Sequence, residues 1–277
     1  MLPRSLAHLT ALLVLPPLAA CGPGQADAAE IATREIRDLV TALTPPALDA
    51  LPVEKSEFYQ NRKRALERLR QASEAHGLAA LERLRKDPPA LTEVRCGLLD
   101  VAAHAAPEAT EPLLVELVTT FGADLGLRRE AAELLGQCLP ETALSVLEPI
   151  LRERYDGRTY PPEERLLSAW LTAMERLGRD PVPLLALAAT DLLRPMDVRH
   201  FATRALGRFP SPQGRQALEA LLVESSGNGY IRRIALQALQ ESLAKDEFCT
   251  LARRVQENEA DTDFILVIES ALEKSCR

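Results

Sequence analysis

Aromatic side chains are scarce in this chain: one tryptophan, four tyrosines and six phenylalanines make up 4% of its 277 residues. A β-sandwich core is disfavoured, and the abundant alanine and leucine suit packed helices with small spacers. Basic residues are in the minority, 33 Lys+Arg against 40 Asp+Glu, for a formal charge of −7. A nucleic-acid-binding domain shows a basic footprint, so no nucleic-acid partner is expected. Short catalytic signatures are missing as well. There is no GxSxG elbow, no GxxxxGK loop, no HExxH and no CxxC pair, and no histidine is followed by glutamate. Each of those patterns holds a nucleophile, a phosphate or a metal in one local turn. The paired carboxylates Glu163–Glu164 and Glu257 with Glu259 fall at helix ends and read as solvated charge. The chain is therefore expected not to be an enzyme, with no catalytic residues, no cofactor and no metal. Long apolar runs are lacking too. The longest, Leu6 to Ala20, is broken by His8 and by Pro16–Pro17, and falls short of the about 20 apolar residues that span a bilayer.

What is present begins in that run. Arg4 precedes the apolar stretch and small residues follow it, the grammar of a secretory signal over residues 1–20. Leu18-Ala19-Ala20-Cys21 resembles the lipobox of bacterial lipoproteins. The resemblance implies that Cys21 receives a diacylglyceryl thioether and becomes the new N-terminus. Buried acyl CH₂ groups contribute about 0.8 kcal/mol each, so two or three chains hold a protein on a membrane. Gly22 follows the cysteine; an aspartate there favours inner-membrane retention in enterobacteria, so its absence points to the outer membrane. The expectation is a lipid-anchored envelope protein facing the periplasm, with the membrane as partner through its anchor. An ordinary secreted protein with a chance cysteine is the competing reading.

Residues 21–56 are expected to form a tether. GPGQADAA is small and polar, hence extended, and EIATREIRDLVTAL then places Ile31, Ile36, Leu39, Val40 and Leu43 at helical spacing. This is a possible capping helix, stopped by TPPALDALP.

From residue 57 to 277 the chain repeats. Arg62, Arg95, Arg128, Arg165, Arg199 and Arg232 follow one another at steps of 33, 33, 37, 34 and 33 residues. With each arginine at offset zero, offset +3 holds Ala65, Leu98, Ala131, Ser168, Ala202 and Ala235, and offset +7 holds Leu69, Ala102, Leu135, Thr172, Leu206 and Leu239. Offset −1 is often aliphatic, and Gly136 and Gly207 follow the +7 residue in two copies. Offsets −1, +3 and +7 share one helical face. Ile268 and Leu272 continue the pattern in a seventh, incomplete copy. A second helix follows each first one, marked by Pro107, Pro140, Pro181 or Pro210, in segments such as EATEPLLVELVTTF, PLLALAATDLL and EFCTLARRVQE. A unit of about 33 residues cannot bury its apolar face alone; stacking neighbours do so.

Phrases such as VRHFATRALG, LRREAAELLG and IRRIALQAL resemble HEAT-like repeats of the short type, known also from phycobilin-lyase families. The resemblance implies an all-α, right-handed α-solenoid of about six to seven helix–turn–helix repeats. A tetratricopeptide array has a similar period, but its tryptophan–leucine–glycine–tyrosine pattern is absent and Trp170 stands alone. The His-Glu pair of the HEAT-repeat hydroxylases is missing, and nothing marks a tetrapyrrole site.

Three functional expectations follow. The arginine ladder reads as a set of register pins, each reaching carboxylates or exposed carbonyls of a neighbouring repeat, rather than as a binding stripe. The step of 37 isolates an insertion at 154–162 carrying Arg154, Tyr155, Arg158 and Tyr160; insertions of this kind map to loops on a binding face, and tyrosine and arginine are enriched at hot spots. Among the cysteines, Cys249 at +17 of the sixth repeat and Cys276 at +11 of the seventh fall at one edge of the array, a candidate disulfide. Cys96 at +1 and Cys138 at +10 of adjacent parallel helices are offset by roughly 13 Å, beyond the about 7 Å a bridge allows, so they read as free buried thiols. Together these indicate a non-catalytic scaffold or assembly factor. Its partner, an unknown protein or peptide, would lie along second helices lining a concave face. The alternative is an enzyme or small-ligand carrier using the groove, such as a lyase-like HEAT protein.

Overall fold

Two rows of antiparallel helices account for the described part of the computed structural model, which comprises residues 23–45, 60, 63–65, 67, 69, 73–120, 124–153, 164–223 and 229–276. The signal segment, Cys21, Arg62, Arg154, Tyr155, Arg158 and Tyr160 lie outside the described residues. The helices are α1 (Pro23–Leu43), α2 (Glu74–Lys86), α3 (Thr92–Ala105), α4 (Pro107–Thr119), α5 (Leu125–Cys138), α6 (Pro140–Arg152), α7 (Glu164–Arg176), α8 (Val182–Thr190), α9 (Met196–Leu206), α10 (Pro212–Val223), α11 (Gly229–Ser242), α12 (Lys245–Glu257) and α13 (Thr262–Ser275). No strand occurs among the described residues. The chain is an all-α solenoid of HEAT-like helical repeats. First helices are α3, α5, α7, α9, α11 and α13; second helices are α2, α4, α6, α8, α10 and α12.

The arginine-centred pattern builds the core directly. At offset −1, Val94, Leu127, Val198 and Ile231 are buried; so are Leu98, Ala131, Ala202 and Ala235 at +3, and Ala102, Leu135, Leu206 and Leu239 at +7. First helices pack on one another along their row, and each second helix packs on the first helix that follows it. Small residues set the spacing. A Cβ on Gly136 would lie 2.3 Å from the Ala169 carbonyl oxygen, and one on Gly207 2.9 Å from the Ala238 Cβ. Only glycine allows α5 to meet α7, and α9 to meet α11, this closely.

One apolar core runs from Leu99 of α3 to Ala271 of α13. A second lies under α1 and α2 and includes Ile36, Leu39, Leu43, Leu81 and Leu98. Helix α3 faces both, which joins α1 to the array.

Two sequence readings are corrected here. The segment expected to be extended is helical from Pro23 onward. Proline is tolerated in a first helical turn, alanines follow, and docking of the downstream face holds the helix. Ala32, Ile36, Leu39 and Leu43 form that face, whereas Ile31 is exposed. The stretch PLLALAATDLL is not helical throughout: α8 stops at Thr190. The Asp191 carboxylate takes the backbone amide of Leu193 at 3.1 Å, an Asx turn that competes with helix, and Leu192 and Leu193 emerge into solvent.

Candidate functional site

Three of the ladder arginines repeat one contact. Arg128 Nε donates to Val118 O at 3.0 Å, Arg199 Nε to Ala189 O at 3.1 Å and Arg232 Nε to Leu222 O at 2.9 Å. In each case the acceptor lies ten residues back and is the penultimate residue of the preceding second helix. The last carbonyls of a helix lack intrahelical donors and carry partial negative charge, so a buried guanidinium is a strong cap. All three arginines are buried. Arg232 also pairs with Glu259 and lies 4.0 Å above the Phe264 ring. Burial works against the Glu259 charge, but hydrogen bonds from Arg232 and from backbone amides hold that carboxyl below its ordinary value.

The other two described arginines differ. Arg95 Nη2 reaches Thr92 Oγ1 at 3.0 Å and Asp124 Oδ2 at 3.3 Å. Asp124 caps α5 by accepting the amides of Gly126 and Leu127, so this contact ties two first helices together. The Thr92 hydroxyl, then those amides, hold the Asp124 carboxyl below the usual range. Arg165 is exposed and, among the described residues, pairs with Glu133 at 2.8 Å. Arg165 stands thirteen residues beyond the end of α6 at Arg152, against nine for Arg128, Arg199 and Arg232 beyond the ends of α4, α8 and α10.

Exposed apolar side chains gather where each second helix hands over to the next first helix. Of the eleven exposed large hydrophobics among the described residues, seven lie at these junctions: Leu91, Leu125, Leu192, Leu193, Met196, Val223 and Tyr230. Parallel stacking of the first helices brings the junctions to one edge of the solenoid. The densest cluster is Leu192, Leu193 and Met196 between α8 and α9. Away from the junctions, the second helices expose only Leu78 and Leu187 of this class. The insertion at 154–162 joins α6 to α7 and so belongs, in chain order, to the same set of junctions.

Other concave features are shallow. A cleft of about 870 Å³ between α11 and α13 is lined by Arg233, Gln237, Gln240, Lys274 and Ser275. A smaller one, about 550 Å³, lies between α1 and α2. No group of three or more His, Cys, Asp or Glu side chains is placed to hold a metal ion among the described residues.

The opposite edge, where first helices turn into second helices, carries Cys138, Cys249 and Cys276, whereas Cys96 lies near the start of α3. Cys249 and Cys276 are disulfide-bonded, with Cα atoms 6.0 Å apart. Cys96 and Cys138 are free and half-buried. Burial, followed by the charges of Glu130 and Asp124, pushes the Cys96 thiol up to about 12. The histidines differ in setting. His76 Nε2 lies 2.9 Å from Glu35 of α1, and the His200 ring packs on Tyr230 with centroids 5.1 Å apart. His104 Nδ1 lies 2.9 Å from the Asp100 carbonyl and 3.2 Å from its carboxylate. The hydrogen bond to Asp100 and one to Cys138, against the opposing effect of burial, raise the His104 pKa to about 10. Asp100 belongs to none of the sequence motifs, and His104 and Cys138 lie 34 residues apart in the chain. The i, i+4 spacing of Asp100 and His104 was the available signal; the approach of Cys138 comes from stacking.

No protein-family model and no curated protein sequence matches the chain. The chain is similar to the solved structure of human deoxyhypusine hydroxylase in complex with glycerol, at 18% identity and a TM-score of 0.35, over 89% of this chain and 97% of that one. That protein is an enzyme, against the expectation that this chain is not one, and that expectation is withdrawn. The physical fault in that expectation is plain: a solenoid assembles side chains from different repeats, about 33 residues apart, and such a site leaves no short motif to miss.

Proposed function

We propose that this chain is a lipid-anchored envelope protein whose repeat array docks a protein or peptide along its apolar junction edge. The observation that carries the reading is the gathering of Leu91, Leu125, Leu192, Leu193, Met196, Val223 and Tyr230 at one edge. Contiguous exposed apolar side chains with a polar rim mark interaction surfaces, and repeat arrays present extended ones. The edge is favoured over the second helices, which expose fewer such groups. Attachment rests on the lipobox resemblance at Cys21; no described helix is long and apolar enough to cross a membrane.

The test is photo-crosslinking in intact membranes from position 193. A discrete partner band that disappears when Leu192 and Met196 are changed to serine supports the reading. Recovery of abundant envelope proteins alone, unchanged by those substitutions, overturns it. The anchor is tested separately: Cys21→Ala should release the chain from the membrane fraction. A second reading, an enzyme or small-ligand carrier, is favoured by the Asp100–His104 pair of α3, whose imidazole pKa is raised to about 10.

A further inference from the structure

We propose that the cleft between α11 and α13 is a docking groove for an extended acidic peptide. The repeat pattern itself opens it. At offset +8 the first helices α3, α5, α7 and α9 carry Ala103, Gly136, Ala173 and Gly207, all small. Ala103 and Ala173 are fully buried, and Gly136 and Gly207 sit directly under the next first helix. Helix α11 carries Gln240 at that offset. Its longer side chain stands between the two helices and donates from Nε2 to Ser275 Oγ at 2.6 Å. The helices are thereby propped apart, and a cleft of about 870 Å³ lies between them. The Cys249–Cys276 disulfide ties the residue after Ser275 to α12, which fixes the α13 wall.

The lining selects the occupant. Leu236 and Ala271 form a buried apolar floor, with the half-buried Val267 beside them. Arg233 stands on the α11 wall and Lys274 on the α13 wall. Both are exposed, and neither forms an ion pair among the described residues. The one carboxylate among the described lining residues, Glu241, already accepts from Gln237 Nε2 at 2.8 Å. The cleft thus has a positive balance in a chain whose formal charge is −7. Because Gln240 meets Ser275, Lys274 lies level with offset +7 of α11, about six residues or roughly 9 Å along the axis from Arg233. Alternate residues of an extended chain stand about 7 Å apart on one face, within reach of two long, flexible cations at that spacing. Glutamates at alternate positions therefore meet Arg233 and Lys274 while the side chains between them turn onto the apolar floor. This contact depends on neither the lipid anchor nor the junction edge.

The probe is a fluorescein-labelled peptide of four Glu-Leu repeats, with four Gln-Leu repeats as its neutral counterpart, titrated by fluorescence anisotropy against the full folded chain. The Glu-Leu peptide should bind, and the Gln-Leu peptide should bind about tenfold more weakly, as expected for the loss of two exposed ion pairs. Arg233→Ala combined with Lys274→Ala should reproduce that loss. Arg253→Ala removes an exposed cation of α12 outside the cleft and should leave binding unchanged. Gln240→Ala should weaken binding of the Glu-Leu peptide, because α13 can then close on α11. Helical circular dichroism reports whether each variant is folded; if one is not, the two-peptide comparison on the wild-type chain decides alone. No binding by the wild-type chain, equal affinity for the two peptides, or an equal loss in Arg253→Ala overturns the proposal. Capture of phosphatidylglycerol vesicles through Arg233 and Lys274, with no binding of the Glu-Leu peptide, overturns it as well.

Discussion

Replacing Arg199 with methionine removes a guanidinium while keeping most of the apolar stem, so it isolates the capping contact. The carbonyl it caps, Ala189 O, would in a continuing helix accept the amide of Leu193, but that amide is held by the Asp191 carboxylate at 3.1 Å. Arg199 Nε, at 3.1 Å, replaces it. A hydrogen bond from a charged donor contributes about 1.5–3 kcal/mol net; attraction to the helix dipole is the same interaction seen another way and is not added. Arg199→Met should therefore cost about 2–3 kcal/mol. At about 2–4 °C per kcal/mol for a chain of this size, calorimetry should show a fall of about 5–10 °C in Tm, with faster amide exchange at the end of α8. Arg165→Met is the matched control. Its side chain is 63% exposed and its ion pair with Glu133 is worth under about 1 kcal/mol, so Tm should move by no more than about 2 °C. Equal shifts for the two variants would refute the capping argument. An unchanged Tm in Arg199→Met with loss of partner crosslinking would make the ladder a binding stripe.

Three further outcomes are expected. Cys249→Ser should loosen α12 and α13: closing a loop of 27 residues contributes about 3.5 kcal/mol in the chain-entropy account, and hydrogen exchange should rise in those two helices first; uniform exchange along the chain would contradict this. Gly136→Ala places a methyl 2.3 Å from the Ala169 carbonyl oxygen, a backbone atom that cannot swing away, so α5 and α7 must separate at a cost of about 1–3 kcal/mol; a urea midpoint equal to wild type would show that the row is not tightly packed there. Because the His104 pKa is raised to about 10 from about 6.5 in the unfolded chain, its contribution is complete below about pH 6.5 and is lost as pH rises through 10. Stability to urea should decline over that window by an amount on the order of a few kcal/mol, and His104→Gln should flatten the decline.

The repeat was legible because its cause is local. An aliphatic residue, an arginine, a small residue and a leucine on one face, recurring at about 33 residues, dictate a helix that must stack, and the same ruler put Cys249 and Cys276 at one edge. Where local and distant forces competed, the sequence misled. The periodicity of PLLALAATDLL runs past Asp191, whose side chain ends the helix; GPGQADAA looks flexible until the helix continuing from it docks on α2 and α3.

The sequence by itself determined an all-α array, its repeat length and its buried faces, since hydrophobic period and small-residue spacing act within a single helix and its immediate neighbours. The tertiary structure alone decided which groups meet across repeats. It turned Arg128, Arg199 and Arg232 inward as helix caps and left Arg165 in solvent. It also gathered the apolar junctions on one edge and set Gln240 against Ser275 between α11 and α13. Those contacts join residues ten to thirty-five positions apart, and their geometry depends on how closely glycine and alanine let parallel helices approach.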